Sequence, residues 1–76
     1  MLKVSKVTGR AYHPDSAIYI ANLRQAGAYM NNGGEQEVLD ILYDPSKEFN
    51  KFVFVFEKNA VTRALYEKWN AHELEY

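Results

Sequence analysis

The strictest alternation of bulky apolar side chains runs over Lys51 to Lys58, Lys-Phe-Val-Phe-Val-Phe-Glu-Lys. On a pleated strand Phe52, Phe54 and Phe56 share one face and Val53 and Val55 the other, so both faces require cover and the segment reads as a central strand. Burial of each Phe ring contributes roughly 1.5–3 kcal/mol before conformational entropy is charged. The rest of the chain is expected to wrap this strand.

A second strand is predicted from Gln36 to Tyr43, with Leu39, Ile41 and Tyr43 on one face and Val38, Asp40 and Leu42 on the other. Asp44-Pro45-Ser46 opens a turn, and the loop Pro45 to Asn50 is a normal length for an antiparallel hairpin. Near the N-terminus, Leu2, Val4 and Val7 interleave with Lys3, Ser5 and Lys6 as in a half-exposed strand, and Thr8-Gly9 reads as a turn. Arg10 to His13 fits either a second short strand or a lead into a helix.

Pro14 and Asp15 signal a helix start, and the helix is predicted to run to about Ala26 with Gly27 as a left-handed cap. Tyr19, Ile20, Leu23 and Ala26 would face the sheet, leaving Ala17, Ile18 and Ala21 as a second apolar side. Tyr29 and Met30 could begin a short strand before the Asn31-Asn32-Gly33-Gly34 loop. Asn59 caps a second helix whose Val61, Leu65 and Trp69 face the core, with Arg63 and Glu67 an exposed pair, and Asn70 ends it. His72 to Tyr76 alternates as a short edge strand.

The expected fold is α+β, a single domain over 1–76 with an N-terminal strand or arm at 1–12. A small, mainly antiparallel sheet of three to four strands carries two short helices on one face. Two short helices cover one sheet face well, so the Val53/Val55 and Val38/Leu42 surface is expected to lie open, and a homodimer is expected to close it.

With 76 residues, the domain buries only about 60% of its unfolded surface, which also favours association. The absence of cysteine excludes disulfides and thiolate metal sites. No signal-peptide core or membrane-spanning run is recognisable, and a cytoplasmic location is expected. Net charge is −1, but residues 1–34 balance at +3 and residues 35–76 at −4. Such sorting by sign suits a solvated surface, and also a head-to-tail contact or a basic partner.

No reaction is encoded by a recognisable motif. His13 and His72 lack the spacing of a helical metal pair, and the His72-Glu73-Leu74-Glu75 ligands alternate across a tail. Ser5, Ser16 and Ser46 occupy strand, cap or turn contexts without a nucleophile elbow. Glu37 and Asp40 point to opposite strand faces, and Asp40 is read as a solvated edge residue or one that takes a partner's base. Gly33-Gly34 lacks the Lys-Ser/Thr of a phosphate cradle. Phe52, Phe54 and Phe56 flanked by Lys51 and Lys58 resemble a base-stacking platform, but the same rings are the best core candidates. No enzyme activity, metal or cofactor is expected.

Asp15-Ser16-Ala17-Ile18-Tyr19-Ile20-Ala21-Asn22-Leu23, Gly27, the Phe-Val-Phe-Val-Phe-Glu strand and Trp69-Asn70-Ala71-His72-Glu73-Leu74 together resemble the DUF5659 family of small proteins frequent in bacteriophages and prophages. The resemblance covers roughly 13–76 and rests on apolar pattern. This chain departs from the family in a longer N-terminal segment and an expanded region from the Asn-Asn-Gly-Gly loop to Asn50. The resemblance implies an origin and a fold, in a bacterial host cytoplasm, and no site residues.

The expected function is a non-enzymatic, homodimeric interaction module that binds and modulates a host or defence protein through a sheet edge or the acidic half. Abundant tyrosine suits such a surface. Ile18, Asp40, Tyr43, Leu42, Val53 and Val55 are the expected contact residues. The second reading is a nucleic-acid-binding regulator using Lys3, Lys6, Arg10 and Arg24, and a third is an assembly accessory without a ligand. No membrane partner is expected.

Overall fold

A computed structural model describes residues 1–48 and 51–74. The elements, in order, are β1 (Lys3–Val4), β2 (Ala11–Tyr12), β3 (Ala17–Ile20), α1 (Leu23–Tyr29), β4 (Val38–Tyr43), β5 (Phe52–Glu57) and α2 (Ala60–Asn70). The fold is α+β. The Phe strand, β5, lies in the middle of an antiparallel three-stranded sheet of order β3-β5-β4, and β1 and β2 form a separate antiparallel hairpin.

Residues 17–20 depart from the expected helix. Pro14–Ser16 forms only a single 3₁₀ turn, and Ala17–Ile20 pairs with β5, Ile18 opposite Phe56 and Ile20 opposite Phe54. Period-two placement sets both Ile side chains against the Phe face, and β-branched and aromatic residues favour it. The helix starts later, where the Asn22 side chain accepts the Arg24 and Gln25 amides. It continues past Gly27, so that residue is helical, and the left-handed glycine of this segment is Gly33, at φ +96°. Tyr29 and Met30 are correspondingly helical and not the start of a strand.

The helices cover the Phe face. Phe56, Ile20, Ala26, Tyr29 and Leu65 form its buried centre, and Tyr29 meets Phe56 edge to face with centroids 5.4 Å apart. In α2, Asn59 and Thr62 make a reciprocal capping box, and the Thr62 hydroxyl donates to the Glu57 carbonyl. Thr62, not Val61, therefore turns inward, while Leu65 and Trp69 pack as expected. Gly34 brings the loop so close that a Cβ would lie 2.6 Å from the Tyr29 carbonyl oxygen and 2.9 Å from Leu65. His72, at φ +58°, leaves α2 in the left-handed region, and 72–74 is not a strand; Glu75 and Tyr76 lie outside the described residues, as do the loop positions Phe49 and Asn50.

The second sheet face is covered from within the chain, correcting the expectation of an open Val face. Val55 is fully buried among Tyr12 and Leu39, with Ala17 and Leu42 at the margin. A register shift between Val38 and Asp40 contributes locally: Asp40 stays opposite Val55, and the extra residue turns Leu39 to the same side, breaking the alternation that would have placed Leu39 with Ile41 and Tyr43. Val53 and Leu42, across from each other, are only half-buried.

Asp40 fastens that cover. It is 4% exposed, so it is neither a solvated edge residue nor open to a partner's base. The Ser5 hydroxyl and the Ile41 amide donate to its Oδ1 at 2.6 and 2.8 Å, and the Tyr12 hydroxyl donates to Oδ2 at 2.6 Å. Ser5 Oγ in turn accepts the Val7 and Thr8 amides, each at 3.0 Å, which shapes the hairpin turn. Burial, the largest influence, pushes the carboxyl pKa up; the bonds from Ser5, Tyr12 and Ile41 and the charge of Lys3 together outweigh it and leave it lowered. Tyr12 is pushed up to about 12 by burial and by the adjacent carboxylate.

Because the folded pKa of Asp40 is lowered, its contribution is present above the ordinary value of about 4 and is lost as pH falls through the folded value. Tyr12, raised, stabilises below about pH 10, and that contribution is lost as pH climbs toward about 12. Denaturant titrations from pH 2 to 11 should show both declines. Tyr12→Phe should cost about 1.5–3 kcal/mol at neutral pH and make the acid-side decline smaller, because the carboxyl loses a donor that favours its ionised form. Phe56→Ala should cost about 3–5 kcal/mol by cavity formation. Gly34→Ala should cost about 1–3 kcal/mol by overpacking against Tyr29 and Leu65.

Candidate protein-interaction surface

The residues expected to meet a partner do not form one surface. Val55 and Asp40 are enclosed under the hairpin, whereas Leu42 and Val53 are half-buried at the far end of the sheet. Beside them Tyr43 is 56% exposed and Phe52 45%, their rings 5.0 Å apart and tilted by 42°. Ile18 lies on the opposite edge strand, β3.

The four basic residues are exposed, but the sheet stands between them. Lys3, Lys6 and Arg10 belong to the hairpin on the Val face, and Arg24 is on α1, which packs on the Phe face. Arg10 also has structural work: its Nη1 donates to the Gln36 and Val38 carbonyls at 2.7 and 3.0 Å, and Nη2 lies 3.9 Å from the Glu57 carboxylate.

The two edges of the sheet differ, and the difference is chemical. Along the first half of β4 the outward polar groups are already occupied. Arg10 takes the Val38 carbonyl, the Thr8 hydroxyl donates to the Leu39 carbonyl at 2.6 Å, and Asp40 takes the Ile41 amide. That half of the edge is closed by side chains of its own chain, a common defence against strand addition.

Among the described residues the β3 edge has no such cover. The Lys58 amide donates to the Ser16 carbonyl, so in an antiparallel pair 18 with 56 and 20 with 54 are the hydrogen-bonded positions. The amides and carbonyls of Ala17 and Tyr19 therefore point away from β5. Among the described residues none of these four groups has a hydrogen-bond partner. The Tyr19 side chain is exposed, with its hydroxyl 3.3 Å from the Pro14 carbonyl oxygen.

Beside this edge runs a groove of 570 Å³ between Ile18 and the first two turns of α2. Ile18, Ala60 and Tyr66 supply its apolar wall, Lys58 and Arg63 its charge, and no carboxylate lines it. Arg63 reaches Glu67 at 3.6 Å, an exposed pair that water screens. The Asn59 side chain and the Thr62 hydroxyl are tied into the capping box, and Asn59 Nδ2 also donates to Glu37, so the floor of the groove is rigid. The sequence pattern concealed this site because it assigned Ala17 to Ile20 to a helix, and a helix has no edge. The one available signal was the second apolar side at Ala17, Ile18 and Ala21.

Ser5 directs its proton to a buried carboxylate of lowered pKa, a weak base without a substrate-facing side. Among the described residues no cluster of His, Asp and Glu could hold a metal ion, and no helix is long and apolar enough to cross a membrane. A smaller cleft of 320 Å³ between the hairpin and the sheet contains His13, Arg10 and Glu57, but its ion pair belongs to the hairpin's attachment. Comparison with protein-family models, curated proteins and solved structures finds no match to this chain.

Proposed function

We propose that the protein is a non-enzymatic interaction module that recruits another protein to the open β3 edge. The observation that carries this reading is the asymmetry between the sheet edges. One is closed over its first half by Arg10, Thr8 and Asp40, while the other presents the unpaired backbone of Ala17 and Tyr19 beside a groove. An edge of this kind supplies main-chain affinity, and the groove supplies side-chain selectivity. The partner class, a host or defence protein met by a phage-type product, follows from the DUF5659-like residues alone. A dimer is no longer required to shield Val55, because the hairpin does so. The nucleic-acid reading draws on Arg10, whose guanidinium is engaged with backbone carbonyls.

Tyr19→Pro removes the outward amide without taking a bond from the ladder to β5, so the sheet should persist. Wild type should retain one or more host-lysate proteins that the variant, with its circular dichroism and melting transition preserved, no longer retains. Equal retention by both, or none by either, would overturn the edge reading. Binding to duplex or single-stranded DNA with a steep salt dependence that weakens on changing Lys3 and Lys6 would favour nucleic acid instead.

A further inference from the structure

We infer that the occupant of the groove is an extended, acidic segment of the partner, added to β3 as a fourth, antiparallel strand, with an apolar residue and a carboxylate two positions apart on its groove side. This rests on the interaction reading above and specifies its ligand. The outward groups of Ala17 and Tyr19 would form the hydrogen-bonded pairs with an added strand, and the position between them, opposite Ile18, would be a non-hydrogen-bonded pair. Side chains opposite each other in a sheet share a face, so the incoming residue opposite Ile18 points into the groove, toward Ile18, Ala60 and Tyr66.

The next residue on that face lies opposite Ser16, whose partner on β5 is Lys58. In an antiparallel strand this residue is two positions further toward the segment's C-terminus. Lys58 stands at this end of the groove, Arg63 also lines it and no carboxylate does, so a Glu or Asp there has a cation to meet and no charge of its own sign among the lining residues. The recognised pattern is thus an apolar residue, any residue, then an acidic residue.

A second copy of the chain fits less well. Antiparallel pairing of two β3 edges about a twofold axis at Ile18 would bring the α2 walls face to face, setting Lys58 and Arg63 against their counterparts. Like charges so placed oppose association.

The test uses the full chain and synthetic eight-residue peptides, acetylated and amidated so that no terminal charge contributes. One is built of alternating Thr with an internal Ile-Thr-Glu, and its counterpart carries Gln for Glu. In nitrogen-15 amide spectra the Glu peptide should shift the Ala17 and Tyr19 amides and slow their hydrogen exchange. Its dissociation constant should be about tenfold lower than that of the Gln peptide, as expected for one charge-assisted contact. Lys58→Gln with Arg63→Gln, both exposed positions, should abolish that difference while leaving the remaining amide spectrum in place.

Equal affinity for the two peptides, with Ala17 and Tyr19 still responding, would overturn the acidic specificity and leave the edge reading intact. Amide shifts confined to the Tyr43 and Phe52 end would overturn the placement. Doubling of the solution mass, with the Ala17 and Tyr19 amides protected before any peptide is added, would assign the edge to a second copy. No binding by either peptide would overturn the inference. The edge reading would then fail as well only if Tyr19→Pro left host-protein retention unchanged.

Discussion

The carboxylate of Asp40 holds the two halves of this small protein together. It sits on β4, under the hairpin, and receives hydroxyl protons from Ser5 and Tyr12 on that hairpin. A buried charge is costly unless its lone pairs are satisfied, and here hydroxyls and a backbone amide satisfy them without a cationic partner in contact. Removing any donor would leave the charge less compensated, so the hairpin, the Val face and the edge of β4 depend on the same few atoms. Without the fastening, Val55 and Leu39 would lose their cover.

That fastening also decides which parts of the sheet can meet another molecule. The hairpin that brings Ser5 and Tyr12 to Asp40 also brings Thr8 and Arg10 to the carbonyls of Leu39 and Val38. Closure of the β4 edge therefore comes with coverage of the Val face. Among the described residues nothing equivalent reaches β3: the turn Pro14–Ser16 leads directly into that strand and Asn22 sends the chain back across the Phe face as α1. The open edge and the charged wall of α2 thus lie side by side as a consequence of chain direction.

The paired β4–β5 hairpin and α2 were legible because each carries its own local signal. Phe and Val alternate without interruption on β5, and Asn59 marks the start of α2. Val61 was misplaced as a core residue because its apolar character says nothing of helix phase, whereas the hydrogen bond from Thr62 to the Glu57 carbonyl sets that phase. The stretch Ala17-Ile18-Tyr19-Ile20 satisfies either period over four residues, and Pro14 with Asp15 argues for a helix. Pairing with β5 overrides that local preference by setting Ile18 and Ile20 beside Phe56 and Phe54. The candidate site was hidden with it, since its defining backbone groups exist only once Ala17 to Ile20 is a strand.

What the amino-acid order determined by itself was the central strand, its demand for cover on two faces, and an α+β arrangement without cysteine chemistry. Those properties follow from side-chain type and spacing within a few neighbouring positions. Only the tertiary structure decided that residues near the N-terminus supply the second cover, that Asp40 faces inward, and that β3 keeps an unpaired edge. Each of these depends on contacts between residues far apart in the chain: Ser5 with Asp40, Tyr12 with Val55, and Ser16 with Lys58. A one-residue shift in the register of β4 is enough to turn Leu39 from the Phe face to the Val face, and no pattern of hydrophobicity reports such a shift.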